Sequence, residues 1–396
     1  MVHAPHNWHW YIHKRTDGVH ALYANFFLRQ LATNTFGIFI PLYLLKLAQN
    51  SLGGGVREGL MLIAAYYLTI RIIYILFTLP IANFIHLFGT RWSIFISNIF
   101  LVIYLISLSL AESDILFLGL AVLASALFLP FYFLSYSFLL ASDSHKKNLG
   151  REVGTIHVLE RIGMIIGPLL GGLITVNFGF PVLFATSTIL VIISGIPPFF
   201  MKHHNHNHTI NFNSIVNIFR DKRNQNIFLA IAADAVKGIT EIALVPIFFF
   251  LVLKGYDKIG EFYSITGLLT IGVYWVIGWI YDKKGPEKLQ KTGVIINSIV
   301  WWGRAFSFVP IVLYVFEILK RIANPILLIT NDSIIYSWGH KDPLNFMVAR
   351  NMLWGFTAGA WLLITGILFY FGVSLNIVFV LVGAIIWGYL YAIKKS

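Results

Sequence analysis

Hydrophobic residues run along this chain in blocks of about twenty, the length a hydrocarbon core requires, separated by short polar breaks. Twelve such blocks are predicted as membrane-crossing helices: 21–46, 58–82, 92–110, 115–140, 153–177, 180–200, 227–253, 259–281, 291–308, 310–338, 345–371 and 374–393. A longer polar stretch, Lys202 to Gln225, splits the series in the middle. The expected organisation is an N-terminal segment 1–20, a six-helix bundle 21–200, a His-rich linker 201–226 and a second bundle 227–396. The two sides read as repeats. Pro41 and Pro246, Gly89 and Gly285, and Gly179 and Gly372 recur in similar local sequence at nearly the same offset.

Composition agrees with this pattern. The chain is 58% hydrophobic and 12% charged, with a mean hydropathy of +0.76. A soluble domain carries about 25% charged residues, so the chain is read as an all-α polytopic membrane protein. No cleavable signal is expected, because a polar, His-rich stretch precedes a long first apolar block. Cysteine is absent, which excludes disulfides, thiolate metal sites and cysteine nucleophiles. The net charge of +12 is assigned to cytoplasmic loops rather than to nucleic-acid binding. Lys14, Arg15, Arg91, Lys146, Arg151, Lys202 and Lys394 fall on one side, against Lys46, Arg57, Lys254 and Lys258 on the other. Both termini and the linker are therefore expected in the cytoplasm of a cell-membrane protein.

One break carries a motif. Gly278, Asp282, Lys283, Gly285 and Lys288 fit the spacing Gly-x-x-x-Asp-(Arg/Lys)-x-Gly-x-x-(Arg/Lys) without a gap. This resembles the loop signature of the major facilitator superfamily, where it joins the second and third helices of each half and gates the cytoplasmic face. The first-half copy is degenerate: Gly89 remains with Arg91 close after it, and His86 stands where the motif has Asp. Gly163, Gly167, Pro168, Gly171 and Gly172, in the fifth span, resemble an element associated with proton antiporters of that family. Close packing of small residues explains the same pattern. The family's fourth-span Arg signature is missing, since 115–140 contains no Arg or Lys. The resemblance implies a fold of two pseudo-symmetric six-helix bundles with a cavity lined by the first, fourth, seventh and tenth spans.

Ionisable residues within spans are costly and mark functional candidates. The seventh span holds Asp234, Lys237 and Glu241 on one face, and the tenth holds Glu317, Lys320, Arg321 and Asn324. The first span carries Arg29, the repeat counterpart of Asp234, and the fourth contributes Tyr132 and Tyr136 instead of charge. Arg29 is expected either to line the cavity or to snorkel to the interface, and Asp234 to hold Lys237 or Arg29. Glu241 lies about 20 Å deep at 1.5 Å per residue. It is the carboxylate expected to change protonation, or its pairing with Lys320 or Arg321, during transport. A purely structural salt bridge is the alternative. Arg304, beside Trp301 and Trp302, is assigned to an outer aromatic belt. His203, His204, His206 and His208 in the linker are weighed as a metal-binding run against a plain flexible linker.

The reading is a secondary transporter working by alternating access on a small solute, anionic or zwitterionic by the buried positive charge. Protons are the candidate coupling ion, and antiport or efflux the candidate mode. The alternatives are a facilitative uniporter, or a metal carrier or sensor using the histidines. The expected partners are the solute, protons and the lipid bilayer, without nucleic acid. A monomer is expected, with no cofactor and no enzymatic activity.

Overall fold

A computed structural model describes residues 19–51, 53–143, 149–200, 210–268, 270, 273, 276–277, 286–338 and 343–393, and these hold helices and turns without a strand. In chain order the helices are α1 (Val19–Phe36), α2 (Ile40–Ser51), α3 (Val56–Leu110), α4 (Leu116–Asp143), α5 (Leu149–Ser194), α6 (Phe212–Arg220), α7 (Gln225–Ala243), α8 (Val245–Leu253), α9 (Tyr256–Leu268), α10 (Pro286–Ala305), α11 (Pro310–Trp338), α12 (Pro343–Tyr370) and α13 (Leu375–Ile385). A 3-10 stretch, Ile386–Ile393, ends the described chain.

Two of these helices hold two predicted spans each. α3 has 55 residues, or about 80 Å if straight, more than twice a hydrocarbon core. It folds back at Gly89, whose φ of 84° is open to glycine and costly for other residues. The hydroxyls of Tyr66 and Tyr104 meet at 3.2 Å across the fold-back. α5 does the same at Gly179, φ 82°. Before it, Gly163 and Gly171 run along α1 in step with Gln30 and Thr35. After it, the run is reversed, with Phe184 against Tyr43 and the Ser194 carbonyl accepting from Asn25 Nδ2 at 2.6 Å. Each pair of expected spans is thus joined at one glycine, inside the short breaks 83–91 and 178–179.

The repeat is visible in the backbone. Proline lacks a donor and restarts a helix well. Accordingly α1 gives way to α2 through a 3-10 turn before Pro41, and α7 gives way to α8 at Leu244 before Pro246. Gly179 and Gly372 share a positive φ, at 82° and 79°.

The surface is apolar and the interior is partly charged, the reverse of a soluble protein. Leu76, Leu116, Phe178, Phe306, Phe356 and Phe371 are each more than 60% exposed, while Arg29, Arg304 and Glu317 are buried. Apolar exposure on this scale needs lipid as its solvent, and the chain is a multi-pass membrane protein.

Helices from before and after the linker meet at both ends. At the end bearing Gly55, Gly172 of α5 lies against the backbone of Tyr256–Gly260 in α9, and Gly260 backs onto the Pro168 carbonyl. The Arg57 guanidinium there donates to the Phe369 and Tyr370 carbonyls at the close of α12. At the opposite end the Asn211 amide donates to Asn345 Oδ1 at 3.0 Å. Ile81, Ile85, Phe131 and Leu134 form one apolar cluster there with Ile215, Leu344 and Val348.

Candidate substrate and coupling site

The charged face predicted on the seventh span divides between two clusters. The first joins α7, α10 and α11. Arg304 Nη1 donates to Glu241 Oε1 at 2.7 Å, and its other terminal nitrogen donates to Glu317 Oε2. Lys320 Nζ lies 2.6 Å from Glu241 Oε2 and 3.6 Å from Glu317 Oε1. Arg321 Nε lies 3.1 Å from Glu317 Oε1. Two carboxylates therefore sit among three cations. Arg304 also lies over the rings of Phe249 and Trp301, each at 5.4 Å.

Burial is graded across this cluster. The Arg304 and Glu317 side chains are fully buried, while Lys320 and Glu241 keep 13% and 18% of their surface. The inner pair joins α10 to α11, and the outer pair joins α7 to α11 at the more exposed edge of the cluster.

Two sequence expectations change here. Arg304 is not in an aromatic belt; it is the centre of the network. Arg321 pairs with Glu317 rather than with Glu241. Both follow from the α10–α11 hairpin. It reverses between Ala305 and Pro310, seats Gly303 on the Phe316 ring, and so sets Arg304 beside Glu317. A hairpin register drawn about Pro310, and the need of Glu317 for a cation, were the signals in the sequence.

The second cluster surrounds Asp234. Its carboxylate accepts from Tyr389 Oη at 2.5 Å and from Trp354 Nε1 at 3.2 Å, with Lys237 Nζ at 3.9 Å. Lys237 donates to Asn324 Oδ1 at 3.0 Å and lies 5.2 Å from the Tyr389 ring centroid. Asn324 thus serves Lys237, while its neighbours on α11 serve Glu241 and Arg304. Trp354 and Tyr389 were not foreseen; aromatic donors carry no charge to mark them in an apolar sequence.

Arg29 neither reaches Asp234 nor snorkels. It is buried, donates to Asn98 Oδ1 and to Ser97 Oγ at 2.8 Å, and stacks on Tyr132 at 3.7 Å. Tyr132 is therefore the platform for a charge rather than a replacement for one. The Tyr136 side chain lies outside the described residues.

Gly163, Gly167 and Gly171 bring α5 onto α1. A methyl on Gly167 would stand 2.7 Å from Asn34 Cβ and 2.8 Å from Thr35 N, and one on Gly171 would overlap the Thr35 carbonyl. Gly172 and Pro168 serve the α9 contact instead. Of the gating loop, Gly278, Asp282, Lys283 and Gly285 lie outside the described residues, and Lys288 is exposed on α10. His203, His204, His206 and His208 also lie outside them. Among the described residues no group of three His, Asp or Glu is placed to hold a metal ion. A recess of about 660 Å³ opens at the Gly55 end, lined by Arg57, Phe248, Lys254, Phe369 and Asn376 among others. It shares no residue with either cluster.

Comparison with known proteins bears on the fold and family. The family described as Major Facilitator Superfamily matches residues 22–337. No curated protein matches the chain in sequence. Among solved structures, a variant of the E. coli fucose:proton symporter FucP has a similar fold, with a TM-score of 0.67. It is 12% identical, over 96% of this chain and 98% of that one. At that identity the likeness speaks for the fold alone.

Proposed function

The chain belongs to the major facilitator superfamily, a family of secondary transporters, and on that premise we propose that it moves a small solute by alternating access, coupled to protons through Glu241. The observation that carries this reading is the position of Glu241 in the network. It bridges Arg304 and Lys320 from α7, and it is the more exposed of the two carboxylates. A carboxylate held by two cations at the edge of a buried cluster can trade one of them for a proton without dismantling the inner Arg304–Glu317 pair.

Antiport or efflux is the mode supported by the complete Gly163–Gly172 element, whose packing role is equally served by its contacts with α1 and α9. The crowding of Lys and Arg on one side supports cytoplasmic termini. The gating role of Asp282 rests on the loop motif. The division into bundles 21–200 and 227–396 is supported by the matching breaks at Pro41 and Pro246.

The test uses a solute identified by thermal-shift screening of the wild type, since a ligand of the folded state raises the melting temperature. In proteoliposomes, Glu241→Gln is expected to abolish accumulation against a gradient while sparing exchange of labelled for unlabelled solute. Proton-driven accumulation at the wild-type level by this variant would remove the coupling role.

A further inference from the structure

Arg71 is a buried cation that neither cluster uses. It lies on α3, 15 residues after Val56, hence about 22 Å along the helix, near the middle of a hydrocarbon core. No headgroup is within reach at that depth. Its residue surface is 7% exposed, and its Nε has no hydrogen-bond partner among the described residues. Its guanidinium faces the Trp354 ring at 4.8 Å and the Tyr74 ring at 5.8 Å, and the neutral Tyr67 lies within electrostatic reach. Neither ring accepts the fork of hydrogen bonds that a guanidinium offers.

The surroundings add to the imbalance. Arg29, also buried and also before the linker, is bonded to Asn98 and Ser97, which are neutral. Arg350 lies within electrostatic reach of Tyr74, the same ring that Arg71 faces. The carboxylate across the indole, Asp234, is already held by Tyr389, Trp354 and Lys237. The first cluster has three cations for two carboxylates. A buried charge without a partner is strongly unfavourable, and the described protein supplies no anion for Arg71.

We propose that Arg71 anchors an oxyanion group of the transported solute, a carboxylate or a phosphate, with the Trp354 indole as the platform that holds the guanidinium in place. The proposal rests on the transporter reading and names its substrate class. A planar fork suits either oxyanion in bidentate fashion. Arg71 is on α3 and Trp354 on α12, so the contact joins helices from before and after the linker. A solute bound there would bear on the junction that must move in alternating access. Trp354 passes the effect on through its N–H to Asp234.

The experiment is a thermal-shift and binding series on the purified full-length protein. Lactate, succinate, citrate, glycerol 3-phosphate and glucose 6-phosphate are compared with glycerol and glucose as neutral counterparts. The expected result is that at least one anion stabilises the wild type where the neutral compounds do not. Arg71→Met should weaken that anion by on the order of tenfold to a hundredfold, the range for a charged hydrogen-bonded contact. Carboxylates responding without phosphates, or the converse, identifies the oxyanion. If the Met variant does not fold, Arg71→Lys carries the test: its ammonium lacks the fork, so affinity must fall severalfold, and unchanged affinity overturns the proposal. Equal stabilisation of wild type and Arg71→Met by the anion also overturns it. So does transport of a neutral solute with no anion bound, a result that leaves the transporter reading standing. Anion binding lost in Arg71→Met, without transport of that anion in proteoliposomes, would keep the site and remove the transporter reading.

Discussion

Replacing Arg304 by Met removes the guanidinium that joins Glu241 to Glu317. The side chain is fully buried and donates to both carboxylates. Met is apolar and flexible enough to fill most of the space, so the cavity cost is small. The electrostatic cost follows from what remains. Glu241 keeps Lys320 at 2.6 Å, and Glu317 keeps Arg321 at 3.1 Å and Lys320 at 3.6 Å. Breaking a buried pair costs about 3–5 kcal/mol when a charge is left uncompensated. Each carboxylate here retains a cation, which puts Arg304→Met at the low end, about 3 kcal/mol. Glu317→Gln removes the carboxylate to which Arg321 is paired and belongs higher in the same range. The double variant removes both charges of the inner pair together. It is expected to be more stable than the sum of the single effects predicts, by on the order of 1–3 kcal/mol. Thermal unfolding of the detergent-solubilised variants, followed by loss of the monodisperse species, gives the ranking. An Arg304→Met variant within about 0.5 kcal/mol of wild type, the range of an ordinary surface change, would refute the reasoning. Strictly additive singles would refute it too.

Further outcomes follow from the packing and the charge pattern. Gly171→Ala should destabilise by about 1–3 kcal/mol, because its methyl would overlap the Thr35 carbonyl and the Phe39 ring. Gly119→Ala, with open space around the new carbon, should be neutral or slightly stabilising in the same melt. Gly260→Ala would press on the Pro168 carbonyl across the α5–α9 seam. It should raise labelling of a cysteine placed at the Gly55 end, and unchanged labelling would count against the seam as a closing contact. Asn205→Cys should resist an impermeant thiol reagent in intact cells and react in inverted vesicles; labelling in intact cells would reverse the orientation.

The helical pattern was legible because a bilayer imposes a length on each apolar block. The repeat was legible because Pro41, Pro246, Gly179 and Gly372 act locally: proline sets a break and glycine a positive φ. The joining of spans at Gly89 and Gly179 was less so, since a one-glycine reversal leaves little polar sequence between helices. Charged candidates were visible as a set, because any Asp, Glu, Lys or Arg stands out in an apolar run. Their pairing was not. Helical spacing puts Asp234 and Glu241 on one face, yet α11 and α10 take up Glu241 while Tyr389 and Trp354 take up Asp234. Repeat symmetry suggested Arg29 for Asp234. Ser97 and Asn98 lie behind the fold-back of α3, and their place beside Arg29 is a tertiary fact.

Alternating access itself is tested most directly by distances between the two groups of helices. The chain contains no cysteine, so paired spin labels can be introduced without background. One pair, Ser113→Cys with Val309→Cys, reports on the Gly55 end, and Leu87→Cys with Glu287→Cys reports on the other; all four positions are exposed. Arg57→Ala removes the guanidinium that holds the Phe369 and Tyr370 carbonyls and so weakens closure at the Gly55 end. The account predicts two distance populations at each end. Arg57→Ala should enlarge the longer one for Ser113–Val309 and, in the same sample, the shorter one for Leu87–Glu287. A single distance at each end, unmoved by Arg57→Ala and by pH, would contradict it.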